Sequence, residues 1–232
     1  MRAAVVVFPG TWSDGDCIYA LGRVGVEAYR VWHREAPVFA PNDLVVLPGG
    51  FSYGDHLRCG AIARFSPVMQ SVQAHAAAGG LVIGICNGFQ ILCEAALLPG
   101  VLMRNASLQF RCMPTHLVAE NHASPFTRGI VIGRVLAVPI SHGEGNYFAD
   151  ATTLDMLEAT GRVAFRYADA AGRVNSEANP NGAQRNIAGI LNERGNVLGM
   201  MPHPERACDP LLGGEDGNAI WQSVLGVVTV GA

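Results

Sequence analysis

Leu81-Val82-Ile83-Gly84-Ile85-Cys86-Asn87-Gly88-Phe89-Gln90, running on into Ile91-Leu92-Cys93-Glu94-Ala95-Ala96-Leu97, is the stretch whose reading decides the fold. An apolar run ends in a sharp turn and opens into a helical pattern, so it reads as strand, turn and helix with a thiol at the apex. Glycines two residues either side of Cys86 permit the tight turn. The free N–H groups and the dipole at the start of the helix stabilise negative charge on the sulfur. The same residues also suit a buried cysteine in an ordinary strand-to-helix turn, so the motif has to be judged with its surroundings.

Working outward, apolar runs alternate with helical patterns over the first hundred residues. Strands are expected at Ala3–Phe8, Val26–Trp32, Asp43–Leu47 and Leu81–Ile85. Helices are expected at Asp16–Val24 and, alanine-rich and long, at Ala61–Ala78. Continuous apolar strands alternating with helices imply a parallel sheet covered on both faces. From Ser107 the pattern changes. Strand signals recur at 108–118, 131–140, 163–167, 187–191 and 197–201 without long helices between them, which predicts added antiparallel or mixed strands. A last helix is expected over 218–228. No repeat, low-complexity tract or linker interrupts the chain, so one α/β domain over 1–232 is the expectation.

Composition narrows the class of function. The 232 residues are half hydrophobic, with 28 Gly and 13 Pro, and only 15% are charged, well below the roughly 25% of an ordinary domain. A charge-poor surface fits one partly covered by a partner. The net charge of −3, without a basic run, argues against nucleic acid. No stretch approaches the roughly 20 apolar residues of a membrane span, and Met1–Phe8 stops at Pro9-Gly10, which reads as a first strand and not a signal segment. The six cysteines form no C-x-x-C pair, so neither a metal site nor a disulfide framework is expected, and their scatter suits a reducing cytoplasm. Cys93 lies deeper on the helix than Cys86 and reads as core.

A thiolate needs a base, and His203 has the setting for one. It follows an apolar strand in Met201-Pro202-His203-Pro204-Glu205-Arg206, at the kind of strand end where open α/β sheets bind ligands. The following proline favours an extended backbone at His203, which points residues i and i+2 the same way and brings Glu205 to the imidazole. That is the logic of a nucleophile–base–carboxylate triad. A third element is Leu47-Pro48-Gly49-Gly50-Phe51-Ser52-Tyr53-Gly54-Asp55, whose glycine pair leaves backbone N–H groups free to join that of Asn87 around a tetrahedral oxyanion. The same pair also suits an anion-binding loop, although no Gly-Lys-Ser/Thr follows as in a P-loop. His142, in Ser141-His142-Gly143-Glu144-Gly145, is a rival base with its own Glu at i+2, ranked below His203 as part of a pocket-shaping or partner-facing loop.

Together the Cys86 turn and Pro202-His203-Pro204-Glu205 resemble the triad (class I) glutamine amidotransferases. Phe8-Pro9-Gly10, the Phe51–Asp55 segment, Gly60-Ala61-Ile62-Ala63, His142–Gly145 and Ala178-Asn179-Pro180-Asn181-Gly182 resemble the branch that serves phosphoribosylformylglycinamidine synthase. The resemblance spans nearly the whole chain. It implies a flavodoxin-like open, mostly parallel sheet with helices on both faces, Cys86 as nucleophile, His203 as acid/base and Glu205 as its orienter. It also implies Gly50 and Asn87 as the oxyanion hole. Gly49, Gln90, Asn105, Ser107 and Phe110 are the implied glutamine-binding residues, the last three from an N-x-S-x-x-F segment. Thr11–Asp16 departs from the family form.

The resemblance further implies a cysteinyl thioester and ammonia passed to an ATP-dependent partner that converts formylglycinamide ribonucleotide to its amidine. With no Walker-type motif and no metal or cofactor expected in this chain, ATP and Mg²⁺ are expected on that partner. The same resemblance leads us to expect a small third component in the complex. Glutaminase activity is expected to be weak alone and raised by docking. The residues by themselves also leave open a cysteine hydrolase or peptidase on the same scaffold, and a non-catalytic nucleotide binder.

Overall fold

Residues 1–226 are described in a computed structural model, in which the apolar runs assemble into a nine-stranded sheet. The first half supplies β1 (Arg2–Val7), β2 (Glu27–Trp32), β3 (Leu44–Leu47) and β4 (Leu81–Ile85), with α1 (Asp14–Arg23), α2 (Val68–Ala77) and α3 (Asn87–Glu94) among them. The second half supplies β5 (Val101–Met103), β6 (Arg111–Ala119), β7 (Val135–His142), β8 (Asn146–Phe148), α4 (Ala151–Ala159), β9 (Val163–Ala168), β10 (Ile187–Leu191), β11 (Val197–Met200) and α5 (Asn218–Val224). The order across the main sheet is β2-β1-β3-β4-β11-β10-β9-β6-β7. Neighbours from β2 to β11 run parallel, and each pair beyond β11 is antiparallel. β5 and β8 form a separate two-stranded ribbon.

The expected α/β architecture is present, and the differences have local causes. Ala61–Ala78 is not one helix. A short 3-10 turn at Ala63–Phe65 precedes α2, and Ser66 between them is extended at φ −64°, ψ 142°. Pro67 is the cause, because its ring disfavours helical backbone in the residue before it. The second half is not free of helices either. The side chain of Asp150 accepts a hydrogen bond from Thr153 N at 2.9 Å and starts α4, as an N-cap aspartate does. The last helix ends at Val224, and residues 227–228 of the expected 218–228 lie outside the described residues.

Two features of packing position the site. The first is the seating of α3 on the parallel strands. A Cβ on Gly84 would lie 2.6 Å from the Gly88 carbonyl oxygen, and one on Gly88 would collide with the Leu47 carbonyl. Only glycine at both places lets helix backbone touch strand backbone. The second is the return of the far edge. β7 lies four strands beyond β11, yet Pro139 O accepts a hydrogen bond from His203 N at 2.8 Å. The antiparallel half therefore curls until β7 meets the segment after β11, an extreme use of the twist natural to strands. Beneath the fold Phe8, Phe89, Phe165, Tyr147, Tyr167 and Trp221 are fully buried in one continuous apolar cluster. No helix among the described residues is long and apolar enough to cross a membrane.

Candidate active site

Cys86 stands between β4 and α3 at φ 50°, ψ −104°, a conformation a non-glycine residue holds only where its surroundings enforce it. They do so from both sides: Cys86 N donates to Met200 O at 2.8 Å, and Gln90 N donates to Cys86 O at 3.1 Å. The thiol is nearly covered and points to Ser141 O at 3.7 Å.

His203 follows β11 and is buried with Glu205. Its Nδ1 lies 2.6 Å from Glu205 Oε1, which leaves Nε2 without a hydrogen-bond partner in the protein. Burial opposes charge on this imidazole, but the Glu205 carboxylate and then the Cys86 sulfur outweigh it and hold its pKa above the ordinary histidine value. The backbone takes a different route from the extended one expected. His203 stands at φ −103°, ψ 86°, short of the extended region, and Pro204–Arg206 form a 3-10 turn that folds the carboxylate back onto the ring.

Gly50 lies opposite Thr11 in an isolated bridge whose hydrogen bonds are made by the flanking residues, Trp12 N to Gly49 O at 3.0 Å and Phe51 N to Gly10 O at 2.9 Å. Its own N–H is left free, as is that of Asn87, the first residue of α3, which has no acceptor within the helix. Gly50 needs to be glycine, with φ 150° and no room for a Cβ beside Trp12 N. The atypical Thr11–Asp16 segment builds this wall. Trp12 and Ser13 both donate backbone N–H groups to Gly49 O, and Ser13 Oγ accepts from Arg206 at 3.2 Å.

Two adjoining cavities meet here. One, of about 160 Å³, is lined by Cys86, Gln90, Asp55, Cys59, His142 and Glu144. The other, of about 250 Å³, is lined by His203, Trp12, Ser13 and Arg206. Gly50, Phe51, Phe110 and Ser141 border both. Each is smaller than the roughly 300–1,000 Å³ that hold drug-sized ligands, and suits a molecule the size of one amino acid. Phosphate is a poor fit beside Gly50, because Asp55 and Glu144 carry carboxylates into the same small space.

The expected substrate-binding residues divide. Gln90 and Phe110 line the Cys86 cavity. Gln90 has its amide fixed, Oε1 accepting from Asn87 Nδ2 at 2.9 Å and Nε2 donating to Glu144 O at 2.7 Å. Phe110 stacks with Phe51 at 6.5 Å. Gly49, Asn105 and Ser107 do not line either cavity. Gly49 packs beside His203, where a Cβ would come within 2.7 Å of Cε1. Asn105 is wholly buried, donating to Gln109 O and His142 O and accepting from Gly145 N, so its polar atoms brace the wall from behind. Ser107 is exposed and accepts from Gln109 N and Arg111.

His142 is no rival base. Its Nε2 accepts from Asn181 Nδ2 at 3.0 Å, and burial, then the charge of His203, pushes its pKa down to about 3. Glu144, two residues on, turns to Cys59, whose thiol donates to Oε2 at 3.1 Å. Burial first, then that bond, drives the Cys59 thiol far above its ordinary pKa. Phe51, Asp55, Cys59, Ser141 and Arg206 are among the lining residues that received no role in the sequence reading, and Glu144 was named only beside His142. Asp55 and Glu144 were visible in the Phe51–Asp55 and His142–Gly145 motifs, but nothing local says that they meet.

Comparison with known proteins agrees with this geometry. Residues 1–215 match the model of the CobB/CobQ-like glutamine amidotransferase domain. The chain is 56% identical over 222 residues to the phosphoribosylformylglycinamidine synthase subunit PurQ of Bradyrhizobium diazoefficiens, covering 95% of each. It is 56% identical over 226 residues to the PurQ subunit of Moorella thermoacetica, covering 97% of this chain and 95% of that one. Among solved structures it is similar to a chain of PurLQS from Thermotoga maritima, with a TM-score of 0.85, 42% identity and 97% of each chain covered. A glutamine amidotransferase from Thermotoga maritima shares the fold at a TM-score of 0.53 and 15% identity, over 88% of this chain and 76% of that one. The chain belongs to the CobB/CobQ-like glutamine amidotransferase family and, within it, to the PurQ subunits of phosphoribosylformylglycinamidine synthase.

Proposed function

We propose that Cys86, His203 and Glu205 carry out the glutaminase half-reaction of phosphoribosylformylglycinamidine synthase in purine biosynthesis. The observation that carries the reading is the meeting of three things at two adjoining cavities that share Gly50: a thiol on a strained strand-to-helix turn, free backbone N–H groups at Gly50 and Asn87, and a buried His203–Glu205 pair. Relatives of more than half identity over nearly their whole length bear the PurQ name, which supports the same reading.

The steps follow from the parts. The Cys86 thiolate adds to the side-chain carboxamide carbon of glutamine, and the resulting oxyanion is received by the N–H groups of Gly50 and Asn87. His203, held by Glu205, gives its proton to the departing nitrogen as the C–N bond breaks, leaving a γ-glutamyl thioester and ammonia. It then takes a proton from water as the water attacks the thioester, releasing glutamate and the free thiol. Ammonia passes to an ATP-dependent partner subunit that turns formylglycinamide ribonucleotide into the amidine, ATP and Mg²⁺ being held there and not by this chain. Trp12, Phe51 and Phe110 leave an apolar, exposed rim around the cavities, which suits coverage by that partner and a small third component, in the cytoplasm.

Cys86→Ala in the complex with the ATP-dependent partner tests the reading. Glutamine-dependent amidine formation is expected to fall at least about 10⁴-fold, as on loss of a triad member, while ammonium-dependent formation persists. Survival of both activities, or loss of both from an assembled complex, refutes it.

A further inference from the structure

Ser13 occupies the N-cap position of α1, and serine is among the best capping residues, yet its side chain makes no capping bond. The hydroxyl is turned elsewhere. It is buried, and its Oγ accepts a hydrogen bond from Arg206 Nη2 at 3.2 Å. Arg206 is held in turn at Nε by Asp16 Oδ2, 3.3 Å away in the first turn of the same helix. Arg206 also ends the 3-10 turn that carries Glu205. One guanidinium therefore ties the turn beside His203 to the start of α1. A local preference given up for a contact so distant in sequence marks a place where another demand wins.

That demand lies one step inward. Trp12 N and Ser13 N both donate to Gly49 O, at 3.0 and 3.1 Å. Gly49 O and Gly50 N–H belong to one planar trans peptide, so they point in opposite directions. Holding the oxygen against the Trp12–Ser13 backbone therefore aims the N–H away from it, and Gly50 borders both cavities. With glycine at each end, this peptide lacks the steric resistance to rotation that side chains provide. Its orientation depends on what grips the oxygen. The grip is direct, since a Cβ on Gly49 would come within 3.3 Å of Ser13 Oγ.

We propose that Arg206 and Ser13 are positioning residues for the oxyanion hole: Arg206, steadied by Asp16, holds Ser13, and Ser13 with Trp12 locks the Gly49–Gly50 peptide with its N–H toward the forming oxyanion. The proposal rests on the glutaminase reading and gives neither side chain a contact with glutamine. A hole N–H is most effective once the oxygen carries negative charge, in the transition state and not in the bound amide. Loosening the lock therefore lowers kcat and leaves the KM for glutamine nearly as it was. The atypical Thr11–Asp16 segment thereby gains a part in the chemistry.

The test uses the chain with its ATP-dependent partner and follows ammonia release from glutamine in Ser13→Ala, Ser13→Thr, Arg206→Ala and Arg206→Lys. A second readout is alkylation of Cys86 by iodoacetamide across pH, followed by mass spectrometry of the Cys86 peptide. There the thiolate displaces iodide from a saturated carbon, so a C–S bond forms as the C–I bond breaks and no oxyanion arises. Ser13→Ala is expected to lower kcat at least about tenfold and Arg206→Ala about 100-fold, the scale of a misplaced donor, with KM changed by less than about threefold. Ser13→Thr keeps the hydroxyl and Arg206→Lys keeps a cationic donor, and each is expected to recover most of its loss. The rate and pH profile of Cys86 alkylation are expected to match wild type in all four variants. Unchanged kcat in Ser13→Ala and Arg206→Ala overturns the proposal. So does a KM that rises while kcat holds, the mark of a direct contact with glutamine. Alkylation that slows or shifts in pH along with the fall in kcat also overturns it, because the loss then runs through the thiol, His203 or the fold. A wild-type complex that uses ammonium but releases none from glutamine refutes the glutaminase reading instead.

Discussion

The parallel and antiparallel halves of the sheet divide the work of the site. Every group proposed to react comes from the parallel half. Gly50 follows β3, Cys86 follows β4, and His203 with Glu205 follows β11, each at the carboxyl end of its strand, where open α/β sheets bind ligands. The antiparallel half closes the wall that faces them, alongside Trp12, Phe51, Asp55 and Gln90 from the parallel half. Ser141, His142 and Glu144 arrive on the end of β7, and Phe110 immediately precedes β6. The reacting groups are placed by strand-to-helix turns, which are local. That facing wall is placed by the curl that returns an edge strand across the sheet, which is global. Chemistry and selectivity therefore answer to different kinds of mutation.

The largest effect is expected where α3 touches β3. In Gly88→Ala the new Cβ would collide with the Leu47 carbonyl oxygen, a backbone atom that has no rotamer to yield with. Either β3 or the start of α3 must shift, and Cys86 and Asn87 move with the helix. Overpacking of this kind costs about 1–3 kcal/mol, and more when backbone meets backbone. We expect a destabilisation of about 3 kcal/mol or more in denaturant unfolding, and a fall in glutamine hydrolysis of over about 100-fold in whatever remains folded. Near-normal hydrolysis would show that the nucleophile does not depend on that contact.

The division also governs what could be read from the chain. β3 is four apolar residues with every one buried, and β1 is nearly so. Such runs announce a strand covered on both faces, and the Cys86 motif announces the sharp strand-to-helix turn. The Ala61–Ala78 segment misled because helix propensity was read across Pro67, whose steric demand on Ser66 outweighs a run of alanines. β5 and β8 are three residues each, too short to leave a period. The placement of Glu144 was hidden for another reason. Its thiol partner Cys59 is 85 residues away, and their meeting depends on the curl of β7. Asn105 shows the limit from the other side. A motif match put it in the right neighbourhood, while its three hydrogen bonds show a brace where a ligand-binding residue was expected.

A change to the wall should separate binding from chemistry. Asn181→Ala removes the donor to His142 Nε2, Gly145 O and Tyr167 Oη, leaving buried polar atoms without partners at about 1–3 kcal/mol each before relaxation. A net loss of about 2–4 kcal/mol is expected, or a fall in Tm of about 5–15 °C for a chain of this size. The glutamine KM should rise more than kcat falls, because the Glu144 turn loosens while Cys86, His203 and Glu205 stay in place. A fall in kcat alone would mean that the two halves are not separable in this way.

The most selective effect, absent above pH 6.5, is in the pH dependence of stability. In the unfolded chain His142 takes a proton near its ordinary pKa of 6.5, whereas in the fold burial and then His203 keep it neutral down to about pH 3. Between those values the unfolded state binds the extra proton, so stability falls as pH falls, by up to about 1.4 kcal/mol per unit. Above pH 6.5 the group contributes no slope. His203 has the opposite sign. Its pKa is raised in the fold, so its contribution is complete below 6.5 and fades only as pH rises toward the raised value. The two imidazoles therefore act on opposite limbs of the stability curve, one from each half of the sheet. His142→Gln should flatten the acid limb between about pH 6.5 and 3 and leave the alkaline limb as it was. Taking wild type minus variant cancels the slopes of Asp55 and the other carboxylates. An unchanged acid limb in urea unfolding followed across that range would mean that His142 is not held neutral by its burial.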